Sequence, residues 1–296
     1  DRDVFTITGD TPWDGYTLYD LYGEAYTPWE WQPELKTHAE ELGMHCFSTP
    51  FDPTAVDHLE KMEVPAHKIA SFEIVDLPLI DRVARTGKPI IMSTGMATLA
   101  EIEDAVRTVQ EAGNEQLSLL KCTSAYPAPP EEMDLRTIPN LSETFGIVAG
   151  LSDHTKGITA PVAAVALGAR IIEKHLTLDR DEPTPDSAFS LEPKEFREMV
   201  QAVRTAEKAL GKVRYGQGEK ESRSAVFRRS LFIVEDVEEG ETLTTENVRS
   251  IRPGNGLPPK HLSEVLGSRA TRSIPRGTPL RWHMVGAEEE GRRDDR

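Results

Sequence analysis

The sequence predicts an α/β fold: a (β/α)8 TIM barrel lacking its first two βα units, followed by a small β-rich domain. Three observations carry the prediction. Short apolar runs alternate with amphipathic stretches at helical spacing, the pattern of βα units on a parallel sheet. Hydroxyl, His and Lys residues gather at one end of each run, as they do on the carboxyl face of a barrel. Beyond residue 224 the texture changes to short strands divided by Gly- and Pro-containing turns.

The predicted strands are residues 45–51, 67–72, 89–94, 117–124, 147–152 and 170–176. Helical spacing marks 54–62, 77–86 and 98–112 between them. The strand ends read Ser48-Thr49, Ser71, Ser93-Thr94, Thr123-Ser124, Ser152-Asp153-His154 and Lys174-His175. A closed barrel needs eight such units. Residues 16–26 are aromatic and read as helix or loop, and the sequence opens on Asp1-Arg2-Asp3 rather than Met. The expectation is therefore that the first two strands lie outside this sequence; an open α/β sheet, complete as it stands, is the alternative. Residues 195–210 form a strong helix with Phe196, Val200, Val203 and Leu210 on one face, placed to close the barrel domain of residues 1–211. Residues 212–224 read as a linker, 225–285 as the β-rich domain, and 286–296, dominated by charge, as a disordered tail.

The chain carries 50 acidic and 34 basic residues, a net charge of −16. Such a surface repels nucleic acid and anionic membranes, and no run of apolar residues is long enough to span a bilayer. An anionic substrate needs a locally basic pocket in this protein. Cys46 and Cys122 are the only cysteines. They do not form a disulfide framework and read as buried thiols of a cytoplasmic protein.

His154 and His175 end consecutive strands, which puts two imidazoles side by side on one face. A lone strand-end His is usually structural, but paired neutral imidazoles suit a first-row divalent ion. Lys68, Ser71, Ser93 and Ser152 bring an ammonium and hydroxyls from several strands, the donors a phosphate–carboxylate dianion requires.

A set of longer motifs carries a resemblance. They are Ser48-Thr49-Pro50-Phe51-Asp52, Lys68-Ile69-Ala70-Ser71, Ser93-Thr94-Gly95-Met96, Leu151-Ser152-Asp153-His154-Thr155, Ile172-Glu173-Lys174-His175 and Pro185-Asp186. Together they resemble the sialic acid synthases, over essentially residues 5–285. Arg252-Pro253-Gly254-Asn255-Gly256 resembles the mark of the antifreeze-like SAF (β-clip) domain that ends those enzymes. Leu18-Tyr19-Asp20-Leu21-Tyr22, Ala25-Tyr26-Thr27-Pro28-Trp29-Glu30-Trp31, Ala70-Ser71-Phe72-Glu73-Ile74-Val75-Asp76 and Pro185-Asp186-Ser187-Ala188-Phe189-Ser190 are similar to the pseudaminic acid branch.

The resemblance implies a transferase that joins phosphoenolpyruvate to an amino-sugar aldehyde, here 2,4-diacetamido-2,4,6-trideoxy-altrose. It implies a divalent metal at His154 and His175; Mg²⁺ prefers oxygen ligands, so the imidazoles favour Mn²⁺. Lys68, Ser71, Ser93, Ser152 and Thr49 match substrate-contacting positions, Tyr126 a pocket tyrosine, and Asp186 a sugar contact. Ser124 stands at a further substrate-binding position, where neuraminate enzymes commonly carry Asn. Arg252, with Phe227 lining the same pocket, is implied to reach the active site of the partner subunit in a domain-swapped homodimer. The family's catalytic Glu and Lys on the first two strands have no counterpart in these residues, so 296 residues alone are expected to be inactive. The alternatives are N-acetylneuraminate or legionaminate synthase, a sugar-binding remnant without turnover, and a pyruvate-using metal aldolase.

Overall fold

A computed structural model describes residues 2–9, 13–182 and 184–286. The chain divides into two compact units, Asp1–Gly211 and Lys212–Arg296. The tail predicted to be disordered, from residue 287 onward, lies outside the described residues.

In the first unit five parallel strands stand in sequence order: β1 (His67–Ile69), β2 (Ile90–Ser93), β3 (Leu117–Cys122), β4 (Val148–Asp153) and β5 (Ile172–Lys174). The helices are α1 (Leu18–Ala25), α2 (Gln32–Glu41), α3 (Pro53–Lys61), α4 (Leu77–Ala84), α5 (Leu99–Glu111), α6 (Thr137–Phe145), α7 (Thr159–Ala166) and α8 (Pro193–Leu210). Local chemistry sets where they begin. Asp52 accepts the Thr54 and Ala55 amides ahead of α3, whose first residue is Pro53. Thr98 and Glu101 form a reciprocal capping box on α5. Gly146 ends α6 with φ at 69°, in the left-handed region where a Cβ is penalised.

The register decides which side chains meet. Lys68 pairs with Ile91, Ser93 with Leu120, Cys122 with Ser152, and Ser152 with Glu173. Register partners in a parallel sheet point to one side, and the side alternates along each strand. Lys68, Ser93, Cys122, Ser152 and Glu173 therefore share one face. The opposite face sends Ile69, Ile90, Met92, Leu119 and Leu151 into the core, against Ile80, Val83, Val109, Ile138 and Leu141 of the helices. Each fully buried side chain of this size contributes roughly 1.5–3 kcal/mol.

Two expectations need correction. Residues 45–51 do not form a strand. A ladder requires repeated backbone bonds, and this segment makes one: the Lys68 amide donates to the Ser48 carbonyl at 3.2 Å. Phe47 and Phe51 remain exposed there. The described strands consequently form an open, curled sheet with β1 and β5 at its edges. Of the two thiols expected to be buried, Cys122 is buried and Cys46 only half-buried, because Cys46 lies in that unpaired segment.

In the second unit β6 (Ser230–Ile233) pairs antiparallel with β7 (Val248–Ile251). Isolated bridges, including Val237 to Ile274 and Thr242 to Arg269, fold the remaining chain around a core of Leu231, Ile233, Leu243, Val265 and Leu280. The stretch read as a linker carries a short helix, α9 (Glu219–Ser222). No helix among the described residues is long and apolar enough to cross a membrane.

Candidate active site

Lys68 leaves β1 on the polar face and is buried. Its ammonium donates to Ser93 Oγ at 2.8 Å and to the Ile69 carbonyl at 2.9 Å, and stands 3.6 Å from Glu173 Oε2. Ser152 donates to the other Glu173 oxygen at 2.7 Å. Burial pushes the lysine below its ordinary value, with the Glu173 carboxylate opposing the shift. Ser71 Oγ accepts the Gly95 amide at 3.0 Å. A Cβ on Gly95 would lie 2.2 Å from Ser124 Oγ and 2.8 Å from Ser71 Oγ, so the two hydroxyls close over this glycine. Thr49 is half-buried next to Ser48, which accepts the Lys68 amide.

The imidazoles of His154 and His175 lie with ring centroids 5.3 Å apart. His154 Nδ1 is 2.9 Å from the Thr123 carbonyl, which can only accept, so Nδ1 carries the hydrogen and Nε2 presents a lone pair. His175 Nδ1 faces the Asp186 carboxylate at 3.4 Å, which favours the same tautomer. Cys122 Sγ lies 3.9 Å from His154 Nδ1 and 3.9 Å from Ser124 Oγ. Burial alone would raise the thiol and lower the imidazole; their mutual attraction, with Ser71 and Ser124 at the thiol and the Thr123 carbonyl at the imidazole, outweighs it and moves both the other way.

Two imidazoles with free Nε2 atoms, each held through Nδ1, fit a borderline divalent cation as a partial ligand set. Among the described residues no group of three His, Cys, Asp or Glu side chains completes such a set.

Aromatic rings form one wall of the site. Tyr126 stands 4.4 Å from the His154 ring and 5.3 Å from Phe189, which in turn lies 5.0 Å from His175. Burial pushes the Tyr126 phenol up to about 12, so it remains a neutral hydrogen-bonding group. Trp13 packs 5.2 Å from Tyr126, and its indole N–H donates to the Pro185 carbonyl at 3.1 Å.

The structure thus brings Lys68, Ser71, Ser93, Ser124, Tyr126, Ser152, His154, His175 and Asp186 into one connected cluster, with Thr49 at its border. Phe227 and Arg252 belong to the second unit. There the Gly254 amide donates to the Val226 carbonyl at 3.0 Å, and Ser230 Oγ both donates to the Pro253 carbonyl and accepts the Gly256 amide. Those bonds hold the Arg252 turn beside the Phe227 segment, with both side chains exposed. Sequence reasoning passed over Glu173, Cys122, Phe189 and Trp13. Alternation in Ile172-Glu173-Lys174-His175 puts Glu173 on the His175 side and was available as a signal; nothing local marks Trp13.

Residues 2–215 match the NeuB family, and residues 228–286 match the SAF domain. The chain belongs to the NeuB family. This member is 45% identical over 280 residues to the pseudaminic acid synthase of Helicobacter pylori, covering 94% of this chain and 82% of that protein. It is 44% identical over 281 residues to the pseudaminic acid synthase of Campylobacter jejuni, covering 95% and 82%. Among solved structures it resembles the spore coat polysaccharide biosynthesis protein SpsE of Bacillus subtilis. That match has a TM-score of 0.60 at 34% identity and covers 96% of this chain and 84% of the other.

Proposed function

We propose that this NeuB family member catalyses the reaction of a pseudaminic acid synthase. Phosphoenolpyruvate condenses with 2,4-diacetamido-2,4,6-trideoxy-altrose to give a nonulosonic acid and phosphate. The observation that carries the reading is the sharing of one sheet face by the buried Lys68–Ser93 donors and the His154–His175 pair. The 44–45% identity to two pseudaminic acid synthases supports the choice of sugar.

Lys68, Ser93 and Ser152 bind the phosphoenolpyruvate anion, which takes over donors that now point at protein groups. Asp186 and Tyr126 orient the open-chain sugar by hydrogen bonds to its hydroxyl and amide groups. C3 of phosphoenolpyruvate attacks the aldehyde carbon, and the aldehyde oxygen gains a proton. Water adds to the electron-poor C2 and loses a proton. The C–O bond to phosphate then breaks as the new C2 hydroxyl passes its proton to the departing phosphate, leaving the keto acid. Burial of Lys68 strengthens its attraction for the charge that builds on the phosphate. His154 and His175 would hold a divalent ion, Mn²⁺ in preference to Mg²⁺, and that ion would supply Lewis-acid polarisation of the aldehyde. Arg252 and Phe227 serve the site of a partner subunit in a homodimer, and the free cysteines suit a reducing cytoplasm.

The test is phosphate release from phosphoenolpyruvate by protein that carries a complete eight-strand barrel, with the diacetamido sugar, with N-acetylmannosamine and with no sugar. The reading expects release that depends on the diacetamido sugar and falls about 100-fold or more in Lys68→Ala. Absence of release with every sugar defeats it.

A further inference from the structure

We propose that Trp13 is a specificity-determining residue: its indole gives the sugar site an apolar wall. That wall prefers an aldehyde bearing a methyl at C6 and an acetamido group at C4 to one bearing hydroxyls at those positions. The inference rests on the proposed condensation and adds the residue that chooses the sugar.

Trp13 lies far in sequence from the imidazoles, yet it bridges the two loops that flank them. Its ring packs 5.2 Å from Tyr126, which packs 4.4 Å from His154. Its N–H donates at 3.1 Å to the carbonyl of Pro185, and the next residue, Asp186, reaches His175 at 3.4 Å. A part-buried indole therefore joins the loop after β3, whose Tyr126 meets His154, to the loop after β5, whose Asp186 meets His175. Phe189 is buried behind Tyr126 and both imidazoles, which extends the apolar surface inward. The C6 methyl, and the methyl end of the C4 acetamido group, gain from burial against such a surface, while the amide end keeps its polar atoms turned away from it. A hydroxyl pressed there gives up water and finds no partner on the ring face. Pockets of this kind discriminate by roughly 10–200-fold for each apolar group.

The indole has two separable features, its apolar ring and its N–H. Trp13→Phe keeps an aromatic wall and loses the donor to Pro185. Trp13→Gln keeps a donor and loses the wall. The experiment, on protein that carries a complete eight-strand barrel, compares kcat/KM for the 6-deoxy diacetamido sugar with that for N-acetylmannosamine, measured by phosphate release. Calorimetric binding of both sugars runs in parallel. The expected result is a preference about 10–100-fold lower in Trp13→Gln and nearly intact in Trp13→Phe, in catalysis and in binding alike. A preference retained in Trp13→Gln overturns the proposal, as does an equal loss in both variants, which would make Trp13 a loop tether. Failure of the condensation reading appears separately, as wild-type protein that binds the sugars but releases no phosphate. The calorimetric preference of the variants then still decides the role of Trp13. Wild-type protein that binds neither sugar overturns both.

Discussion

Asp153 and Lys174 are register partners on β4 and β5, and their fully buried side chains meet at 2.6 Å on the helix-facing side of the sheet. Asp153 also accepts the Thr155 amide at 2.9 Å, and the Lys174 ammonium donates to the Thr155 carbonyl. The following residue on each strand is an imidazole of the candidate site. Alternation turns His154 and His175 to the opposite face, so the ion pair fixes their lateral register from behind. Removing one partner leaves an uncompensated buried charge, which costs about 3–5 kcal/mol. Asp153→Ala or Lys174→Met alone should lose that much stability in urea denaturation. The double variant Asp153→Leu with Lys174→Met should recover most of it, because apolar pairs of similar volume replace buried ion pairs well. Equal stability of single and double variants would show that the pair is not coupled.

Gly95 has no room for a methyl group. Its would-be Cβ overlaps Ser124 Oγ and Ser71 Oγ, which are ends of side chains and able to rotate. Gly95→Ala should fold, with a stability loss of about 1–3 kcal/mol. It should also displace the Ser71 hydroxyl, one of the expected dianion donors, together with that of Ser124, and raise the KM for phosphoenolpyruvate more than that for the sugar. A variant with unchanged KM for phosphoenolpyruvate would remove Ser71 and Ser124 from that site.

The helical spacing and caps made the helices legible. Leu99–Glu111 follows from Thr98, Glu101 and the apolar positions Ile102, Val106 and Val109. The strand cores were legible as apolar runs, and the polar residues at their ends marked the face that bears the site. Residues 45–51 misled because an apolar run states a preference for extended backbone but not whether a neighbour will pair with it. Asp153 and Lys174 lay inside recognised motifs, yet which face they take follows only from register, a non-local property. Trp13 was illegible for the same reason in stronger form, since its partners lie more than a hundred residues away in the chain.

Asp186 was read as a sugar contact, and the structure adds a second task. Its carboxylate lies 3.4 Å from His175 Nδ1, where it would orient the ring and make it a better electron donor toward a bound cation. Asp186→Asn should therefore weaken Mn²⁺ binding by about 10–100-fold, measured by electron paramagnetic resonance without any turnover. His175→Ala should weaken it further. Mn²⁺ affinity unchanged in Asp186→Asn would confine this residue to the sugar.

His67 gives the fold a pH dependence that is independent of the site. Its ring has no solvent-accessible surface, and its Nε2 lies 2.8 Å from Glu60, which also accepts from Lys88 at 2.8 Å. Burial holds the imidazole below its ordinary 6.5, with the Glu60 contact opposing and Lys88 assisting. Below pH 6.5 the unfolded chain takes up a proton at this residue while the folded chain resists it. Stability must then rise with pH through the window between the depressed folded value and 6.5, and fall as the solution is acidified through it. Above that window the residue contributes no slope. Glu60, held below 4.5 against its own burial by Lys88 and His67, adds a separate loss only at lower pH. Urea unfolding at pH values below 6.5 should show this rise, and His67→Gln, which keeps a donor for Glu60 without titrating, should flatten it. A slope of equal size in the variant would assign the dependence to other groups.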